Sequence, residues 1–519
     1  MIEILTAGKN EKVYISDLSG EKSLLALMQE QKIYTIAPCN GKGECGRCRV
    51  RFLFGAPVPT EKERRLLARE ELESGIRLAC AVHVTESCRI FLGESGEENM
   101  AALTEKQEQS KMSLNQSGND SYGIAIDIGT TTLAAELFSL SDGRTISIAS
   151  GVNHQRAYGA DVISRISAAN EGKGGLLQES IRADIVRLTK ELLRDAIAFE
   201  DVKQIAVVGN TTMCHLLRGL SCEKLGCAPF VPTDNSLYET DAMQLLGVEG
   251  WGAKVTILPG ISAFVGADIV AGIYASGMDI KEEAGLLLDI GTNGEMVLGY
   301  DGGLLVTSAA AGPVFEGGNV SCGMPGIPGA ICHATLCGTD WNCEMIDGKP
   351  PVGICGTGII DIVSELVKAG RVDENGTIEE PWFTDGITVT GKVSFNQKDI
   401  REVQMGKAAI RAGIETLMAE YAKATDTQGK ENENLTVYLA GGFGHYMDIA
   451  KAIHIGMFPG AFAGCTECIG NCALEGAKRY LLSEKDARNR IARIIARAKE
   501  INLAEQPIFQ ELYVTQMFF

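Results

Sequence analysis

With 519 residues, 45% of them hydrophobic and 22% charged, the chain is ordinary globular protein, long enough for three or four domains of about 150 residues each. Its 60 glycines follow no fixed repeat and stand against only 14 prolines, which excludes collagen-like and proline-rich disordered architectures. Forty-eight basic against sixty-seven acidic residues give a net charge of −19 with no Lys/Arg block, so neither nucleic acid nor an anionic membrane surface is an expected partner. No uninterrupted apolar run reaches the roughly 18 residues of a membrane span. The start, Met1-Ile2-Glu3-Ile4-Leu5, lacks the basic region and long apolar core of a secretion signal. A cytoplasmic protein is expected, and its sixteen cysteines then read as metal ligands or small buried hydrophobes rather than a disulfide framework.

The first ninety residues suggest short strands at Ile2 to Leu5 and Lys12 to Ile15 around the turn Gly8-Lys9-Asn10, then a helix over Ser23 to Glu30. A strand over Arg49 to Phe54, a polar helix over Glu61 to Glu73 and a strand over Ile76 to Ala81 follow. Between them lies Cys39-Asn40-Gly41-Lys42-Gly43-Glu44-Cys45-Gly46-Arg47-Cys48, a C-x5-C-x2-C loop, with Cys80 about thirty residues on. Three thiolates on one loop surround a cluster only if the backbone curls tightly, and Gly41, Gly43 and Gly46 permit the positive φ this needs. They also let N–H groups approach the sulfurs of a negatively charged cluster. The pattern resembles vertebrate-type and plant-type 2Fe–2S ferredoxins, which makes Cys39, Cys45, Cys48 and Cys80 the expected ligands in a β-grasp domain over residues 1–94. The alternative is structural zinc, but zinc ribbons carry two CxxC knuckles and this segment has one. Cys88 reads as packing. Residues 95–121 are polar, with few large apolar side chains, and read as a linker.

From Tyr122 an apolar strand ends in Asp127-Ile128-Gly129-Thr130-Thr131-Thr132 and returns as another strand. About 160 residues later Asp289-Ile290-Gly291-Thr292-Asn293-Gly294 does the same. One such hairpin is a common turn; two with the same core suggest duplicated lobes across a cleft, expected over 122–280 and 281–519. Backbone N–H groups and threonine hydroxyls in each turn suit phosphate oxygens, and the acid ending each strand suits Mg²⁺ held through water. A third strand, Thr436 to Ala440, runs into Gly441-Gly442-Phe443-Gly444, a turn suited to lie flat against adenosine. Cys355-Gly356-Thr357-Gly358 opens a helix whose N–H groups suit an anion. There is no G-x-x-x-x-G-K-[ST] loop, so a P-loop enzyme is excluded. Order and arrangement resemble the superfamily of acetate and sugar kinases, heat-shock chaperones and actin, a two-lobed ribonuclease H-like fold. The resemblance implies that ATP sits on Asp127, Gly129 to Thr132, Asp289, Gly291 to Gly294, Gly356, Gly358, Gly441, Gly442 and Gly444, with Val207 to Met213 at the first connection between lobes. Asp127, Asp289 and Glu316 are the expected catalytic acids, Glu316 orienting the attacking water or bracing its glycine-rich turn.

An electron carrier joined to a kinase-like ATP site resembles the reductive activators of corrinoid proteins. Supporting segments are Asn153 to Arg165, Ala263 to Asp268, Gly312 to Gly317, Gln404 to Arg411 and Asn471 to Ala477. The resemblance implies ATP-dependent transfer of one electron from the cluster to Co(II) of a corrinoid protein, regenerating Co(I) for methyl transfer. Plant-type clusters lie near about −400 mV, and Co(II) with an axial ligand is harder to reduce than that; each 59 mV is about tenfold in the equilibrium. ATP would favour a cobalt state that has lost that ligand. The electron donor to the cluster is not identified by the sequence, and a homodimer is compatible with it. Longer family members insert a small domain between linker and ATPase, whereas here the hairpin starts almost directly after the linker. Other readings are an ATP-driven electron donor to another iron–sulfur enzyme, a small-molecule kinase with a redox-sensing module, and a non-enzymatic chaperone of corrinoid loading.

Cys465, Cys468 and Cys472 form an extra C-x2-C-x3-C, read as packing or, with a fourth cysteine from elsewhere, a second metal site. His445 and His154 read as capping groups or as contacts to a ligand. Asp161 and Arg165, four apart on a predicted helix, suggest a helix-face ion pair. Arg488 to Lys499 reads as the solvated face of an amphipathic helix.

Overall fold

The structure, a computed structural model, describes residues 1–6, 12–31, 33, 35, 37, 39, 41–92, 121–194, 196–425 and 435–519, with the backbone alone at 445. The turn expected at Gly8 to Asn10 and, but for Ser121, the linker expected over 95–121 lie outside the described residues.

The N-terminal strands β1 (Ile2–Thr6), β2 (Lys12–Ile15), β3 (Arg49–Phe54), β4 (Ile76–Leu78) and β5 (Cys88–Leu92) form one sheet in the order β2-β1-β5-β3-β4. Only β1 and β5 run parallel; the other pairs are antiparallel. Helix α1 (Leu24–Glu30), capped by the Ser23 hydroxyl, adds Leu24, Leu25 and Met28 to a core with Ile2, Ile4 and Ile90. The polar helix expected over 61–73 is two: α2 (Glu61–Leu66) and α3 (Arg69–Glu73). Leu67 breaks them because its side chain turns into the core while its backbone extends, and the Glu71 carboxylate receives the Ala68 N–H, restarting the helix. The strand expected to reach Ala81 stops at Leu78, where the Ala79 N–H turns to the Cys48 carbonyl and carries Cys80 back toward Cys48.

The remaining chain builds two sheets of like design. In the first, β6 (Tyr122–Ile128), β7 (Thr132–Ser139) and β8 (Thr145–Val152) form an antiparallel meander. After α4 (Val162–Ala168) and α5 (Gly174–Leu193), strand β9 (Val202–Gly209) adds parallel to β6. Helix α6 (Thr211–Arg218), β10 (Tyr238–Asp241), α7 (Ala242–Leu246), β11 (Lys254–Ile257) and α8 (Ala267–Ser276) complete the lobe, in the order β10-β11-β9-β6-β7-β8. The second sheet repeats the meander with β12 (Gly285–Ile290), β13 (Gly294–Tyr300) and β14 (Gly303–Ala309). A subdomain follows: β15 (Ala330–Cys337), β16 (Asp340–Met345), β17 (Gly353–Ile354), α9 (Gly356–Lys368), the ribbon β18 (Ile387–Thr390) and β19 (Val393–Phe395), and the long α10 (Gln397–Thr425). Then β20 (Thr436–Ala440) pairs parallel to β12 and is followed by α11 (Gly441–His445), α12 (Ile449–His454) and β21 (Thr466–Gly470). Last come α13 (Cys472–Leu482), α14 (Glu484–Arg497), β22 (Ala498–Glu500) and α15 (Pro507–Thr515), giving the sheet β21-β20-β12-β13-β14-β22.

The central strands are buried on both faces, as apolar runs such as Gly285-Leu286-Leu287-Leu288 require. Helices α13 and α14 return to the first lobe, where Leu474, Ala477, Tyr480, Ile491 and Ile494 join its core. A Cβ at Gly476 would sit 2.2 Å from the Ala271 carbonyl oxygen, so only glycine lets α13 lie this close to α8. Among the described residues no helix is long and apolar enough to cross a membrane.

Candidate functional site

In each lobe a tight turn joins the first two strands of the meander, and the two turns face each other across a cleft of about 640 Å³. Its lining includes Asp127, Gly129, Thr130, Thr131 and Thr132 from one turn and Asp289, Gly291, Thr292 and Asn293 from the other. A Cβ at Gly129 would meet the Thr132 carbonyl oxygen at 2.6 Å, so that turn requires glycine. The Gly291 N–H donates to the Asn293 carbonyl at 2.8 Å and closes the second. Glu316 stands between them: its Oε2 accepts from Thr131 Oγ1 at 3.3 Å and from Thr292 Oγ1 at 2.6 Å. One carboxylate thus bridges both turns. It is held there by the short turn Pro313–Glu316, against which α9 is wedged; a Cβ at Gly356 would lie 1.8 Å from the Phe315 carbonyl oxygen.

Four more carboxyls converge beneath these turns. Burial pushes Asp127 up to about 7, against a 2.9 Å hydrogen bond from Asn471 Nδ2. Burial and the neighbouring Asp127 push Asp268, in the first turn of α8, up to about 8. Asp289 rises to about 6 through burial and Glu316, and Glu295, its register partner on β13, rises well above the usual range by burial and by Asp268 and Asp289. Buried like charges that raise one another call for protons or a cation.

Gly356, Gly441, Gly442 and Phe443 also line the cleft. The double glycine begins the helical turn α11, and Gly441, at φ 79°, would place a Cβ 3.1 Å from Asp289 Oδ1. Three glycines expected in the site lie outside the lining. A Cβ at Gly294 would meet Ile410 at 2.2 Å, at Gly358 the Ile331 carbonyl oxygen at 2.2 Å, and at Gly444 Leu439 at 2.5 Å, so each sets a packing distance.

In the N-terminal domain the four cysteines lie as two close pairs, with Cys80 near enough to Cys39 and Cys45 to feel their charge. Cys45 Sγ lies 3.3 Å from Cys39 Sγ, and the Cys48 and Cys80 thiols hydrogen-bond each other. Gly41, Gly43 and Gly46 all have φ between 65° and 78°, which turns N–H groups inward. Although burial opposes it, the N–H groups of Glu44, Cys45 and Gly43 hold the Cys39 thiol below its ordinary value. Cys48 is drawn down to about 7 by Cys80 and by backbone N–H groups, while Cys80 is pushed up by the same bond. Four thiols ringed by inward N–H donors fit a thiolate-held cluster.

Comparison with known proteins matches this architecture segment by segment. A 2Fe-2S iron-sulfur cluster binding domain matches residues 8–85, the RACo middle region residues 122–281, and the C-terminal domain of RACo, the ASKHA domain, residues 283–519. The corrinoid activation enzyme RamQ of Eubacterium limosum is 34% identical over 432 residues, 77% of this chain and 70% of that protein. The chain belongs to the RACo family of reductive activators. The [Co(II) methylated amine-specific corrinoid protein] reductase of Methanosarcina barkeri is 27% identical over 438 residues, 77% of each chain. The solved reductive activator for corrinoid,iron-sulfur protein superposes with a TM-score of 0.69 at 25% identity, covering 100% of this chain and 98% of that one. This RACo-type chain therefore carries a 2Fe–2S domain and an ATP-binding ASKHA domain.

The RACo-type cleft also uses residues that the sequence marked only as parts of longer segments or as an ion pair. Asn210 Nδ2 donates to Thr130 Oγ1 at 3.0 Å and Asn153 Nδ2 to the Gly129 carbonyl at 2.9 Å. Asn210 and Asn471 each cap a helix leaving the cleft, a strand-Asn-helix signal that could have marked them. Asp161 caps α4, and instead of forming the expected ion pair Arg165 is fully buried, giving its guanidinium to the carbonyls of Thr130 at 2.6 Å and Gly159 at 2.9 Å. The extra cysteines face different elements: Cys465 donates to the Ala461 carbonyl, Cys468 to that of Gly444, and Cys472 is buried against Gly272 of α8. His154 lies outside the cleft lining, with Nδ1 2.5 Å from Asp184 Oδ1.

Proposed function

We propose that this chain spends ATP to pass one electron from its 2Fe–2S cluster to the cobalt of a corrinoid protein, returning Co(II) to Co(I) for methyl transfer. The reading is carried by one juxtaposition: a cradle of four thiols and a cleft of buried carboxyls between two phosphate turns belong to a single chain. Cys39, Cys45, Cys48 and Cys80 would hold the cluster, which supplies a single low-potential electron. Asp127 and Asp289, supported by Asp268 and Glu295, would hold Mg²⁺ through its water shell, since buried carboxyls with raised pKa values gain most from a hard divalent cation. The N–H groups and hydroxyls of Gly129 to Thr132 and Gly291 to Asn293 would bind phosphate oxygens, while Gly441 and Gly442 face the adenosine. Glu316, hydrogen-bonded to both turns, would orient the water that attacks the γ-phosphate. An external electron donor recharges the cluster, and a homodimer in the cytoplasm is compatible with this assignment.

The test mixes the anaerobically reduced protein with a Co(II) corrinoid protein, with and without MgATP, and follows visible spectra. Co(I) is expected only with MgATP, and not in Cys45→Ala. ATP hydrolysis with unchanged Co(II) across several corrinoid proteins would overturn the reading. Glu316→Gln should lower ATP hydrolysis roughly 10²-fold while leaving the cluster spectrum unchanged.

A further inference from the structure

Among the described residues, a buried side chain of the iron–sulfur domain is hydrogen-bonded to the first ATPase lobe. Gln29, in the last turn of α1, is only 3% exposed, and its Nε2 donates to the Ala157 carbonyl at 2.7 Å. Helix α1 is at the same time a wall of the cluster cradle. The Leu25 N–H donates to the Ala79 carbonyl, one residue from Cys80, and a Cβ at Gly41 would lie 3.2 Å from Leu25 Cδ2.

Ala157 ends the turn His154–Ala157, and this turn braces the first phosphate hairpin. Asn153, which caps it, accepts the Gln155 N–H and holds the Gly129 carbonyl. The Asn153 N–H donates to the Thr131 carbonyl at 2.9 Å. The Gln155 side chain is anchored on the Leu177 carbonyl and lies 3.5 Å from Arg165 Nη1, whose guanidinium holds Thr130. A row of buried and part-buried hydrogen bonds thus leads from the Cys80 segment through α1, Gln29 and the 153–159 turn to Gly129, Thr130 and Thr131.

We propose that the Gln29–Ala157 contact is a nucleotide-sensitive latch that parks the iron–sulfur domain on the first lobe and releases it when the triphosphate enters. The inference rests on the reading of the cleft as an ATP site. An anion drawn onto the N–H side of Gly129 to Thr132 shifts those peptide units, and with them the carbonyls held by Asn153 and Arg165. A displacement well under 1 Å at Ala157 is enough to weaken a short hydrogen bond. By linkage, whatever the nucleotide takes from the latch, an undocked domain returns as nucleotide affinity.

Hydrogen–deuterium exchange on the anaerobic cluster-loaded full chain tests this, with and without Mg²⁺ and a non-hydrolysable ATP analogue, in wild type and Gln29→Met. In wild type the analogue should protect the Asp127 to Thr132 segment and make α1 amides exchange about fivefold faster. Gln29→Met should exchange fast at α1 with or without the analogue and bind it about fivefold more tightly. Protection at Asp127 to Thr132 with α1 unchanged would overturn the latch and leave the ATP site standing. No protection there would overturn both. The wild-type arms decide even if Gln29→Met fails to fold; a folded Gln29→Met indistinguishable from wild type would remove Gln29 as the latch.

Discussion

Arg165 shows how much of the first cleft turn depends on a residue outside it. Its side chain is fully buried, with hydrogen bonds to the Thr130 and Gly159 carbonyls that no apolar replacement can supply. Leaving these two carbonyls, one buried and one part-buried, without their donor costs about 2–4 kcal/mol. Arg165→Met should therefore lower the unfolding free energy in urea by about that much, and raise KM for MgATP about tenfold as the hairpin loosens. A stability loss without any change in KM would show that Arg165 only braces the fold. Asp127 and Asp289 were legible in the sequence because each ends an apolar strand before the same Ile-Gly-Thr core. Asp268 and Glu295 were not, since what marks them is burial beside other acids, and that exists only once β6, α8, β12 and β13 have met. Arg165 was misread because the four-residue spacing to Asp161 ignores that Asp161 is spent on the Ser164 N–H at 2.7 Å.

At the scale of elements, close approach decides where the site residues stand. Helix α9 begins against the Glu316 turn with no room for a methyl group: a Cβ at Gly356 would lie 1.8 Å from the Phe315 carbonyl oxygen and 2.7 Å from the Phe443 ring. Gly356→Ala should cost about 1–3 kcal/mol in thermal or urea unfolding. It should lower kcat for ATP hydrolysis roughly tenfold by moving Glu316, with a smaller effect on KM. A kcat unchanged beside the expected destabilisation would mean that Glu316 tolerates the shift. The order of strands was largely readable, because hairpins of apolar strands around Asp-Ile-Gly-Thr leave little choice of pairing. The purpose of the glycines was not. Gly294, Gly358 and Gly444 have the sequence look of phosphate loops but keep Ile410, the Ile331 carbonyl and Leu439 at contact distance, which only the packed structure reveals. The break at Leu67 is of the same kind, local helix propensity yielding to a side chain the core requires.

In the whole molecule the carboxyls of the cleft come from both lobes: Asp127 and Asp268 from the first, Asp289 and Glu295 from the second. The lobes are held together around them by chain that crosses back. Asn471 caps α13 and bonds Asp127, and Arg490 of α14 pairs with Asp279 at 2.7 Å. Folding therefore forces like charges together, and the pH dependence of stability should report it. Burial lifts Asp289 to about 6, Asp127 to about 7 and Asp268 to about 8, all above the usual aspartate value of about 4. Between about pH 4 and pH 8 the folded chain then binds more protons at these groups than the unfolded chain does, and stability from this source falls as pH rises. Mg²⁺ with ADP should replace the protons, so its stabilising effect should grow over the same range. The measurement is Tm from about pH 5.5 to 8.5, with MgADP and with EDTA, in wild type and Asp268→Asn. Wild type in EDTA should lose Tm toward the alkaline end, MgADP should restore it mainly there, and Asp268→Asn should flatten the slope. If MgADP raises Tm equally at both ends, or Asp268→Asn keeps the wild-type slope, the crowding of carboxyls is not what the cation relieves.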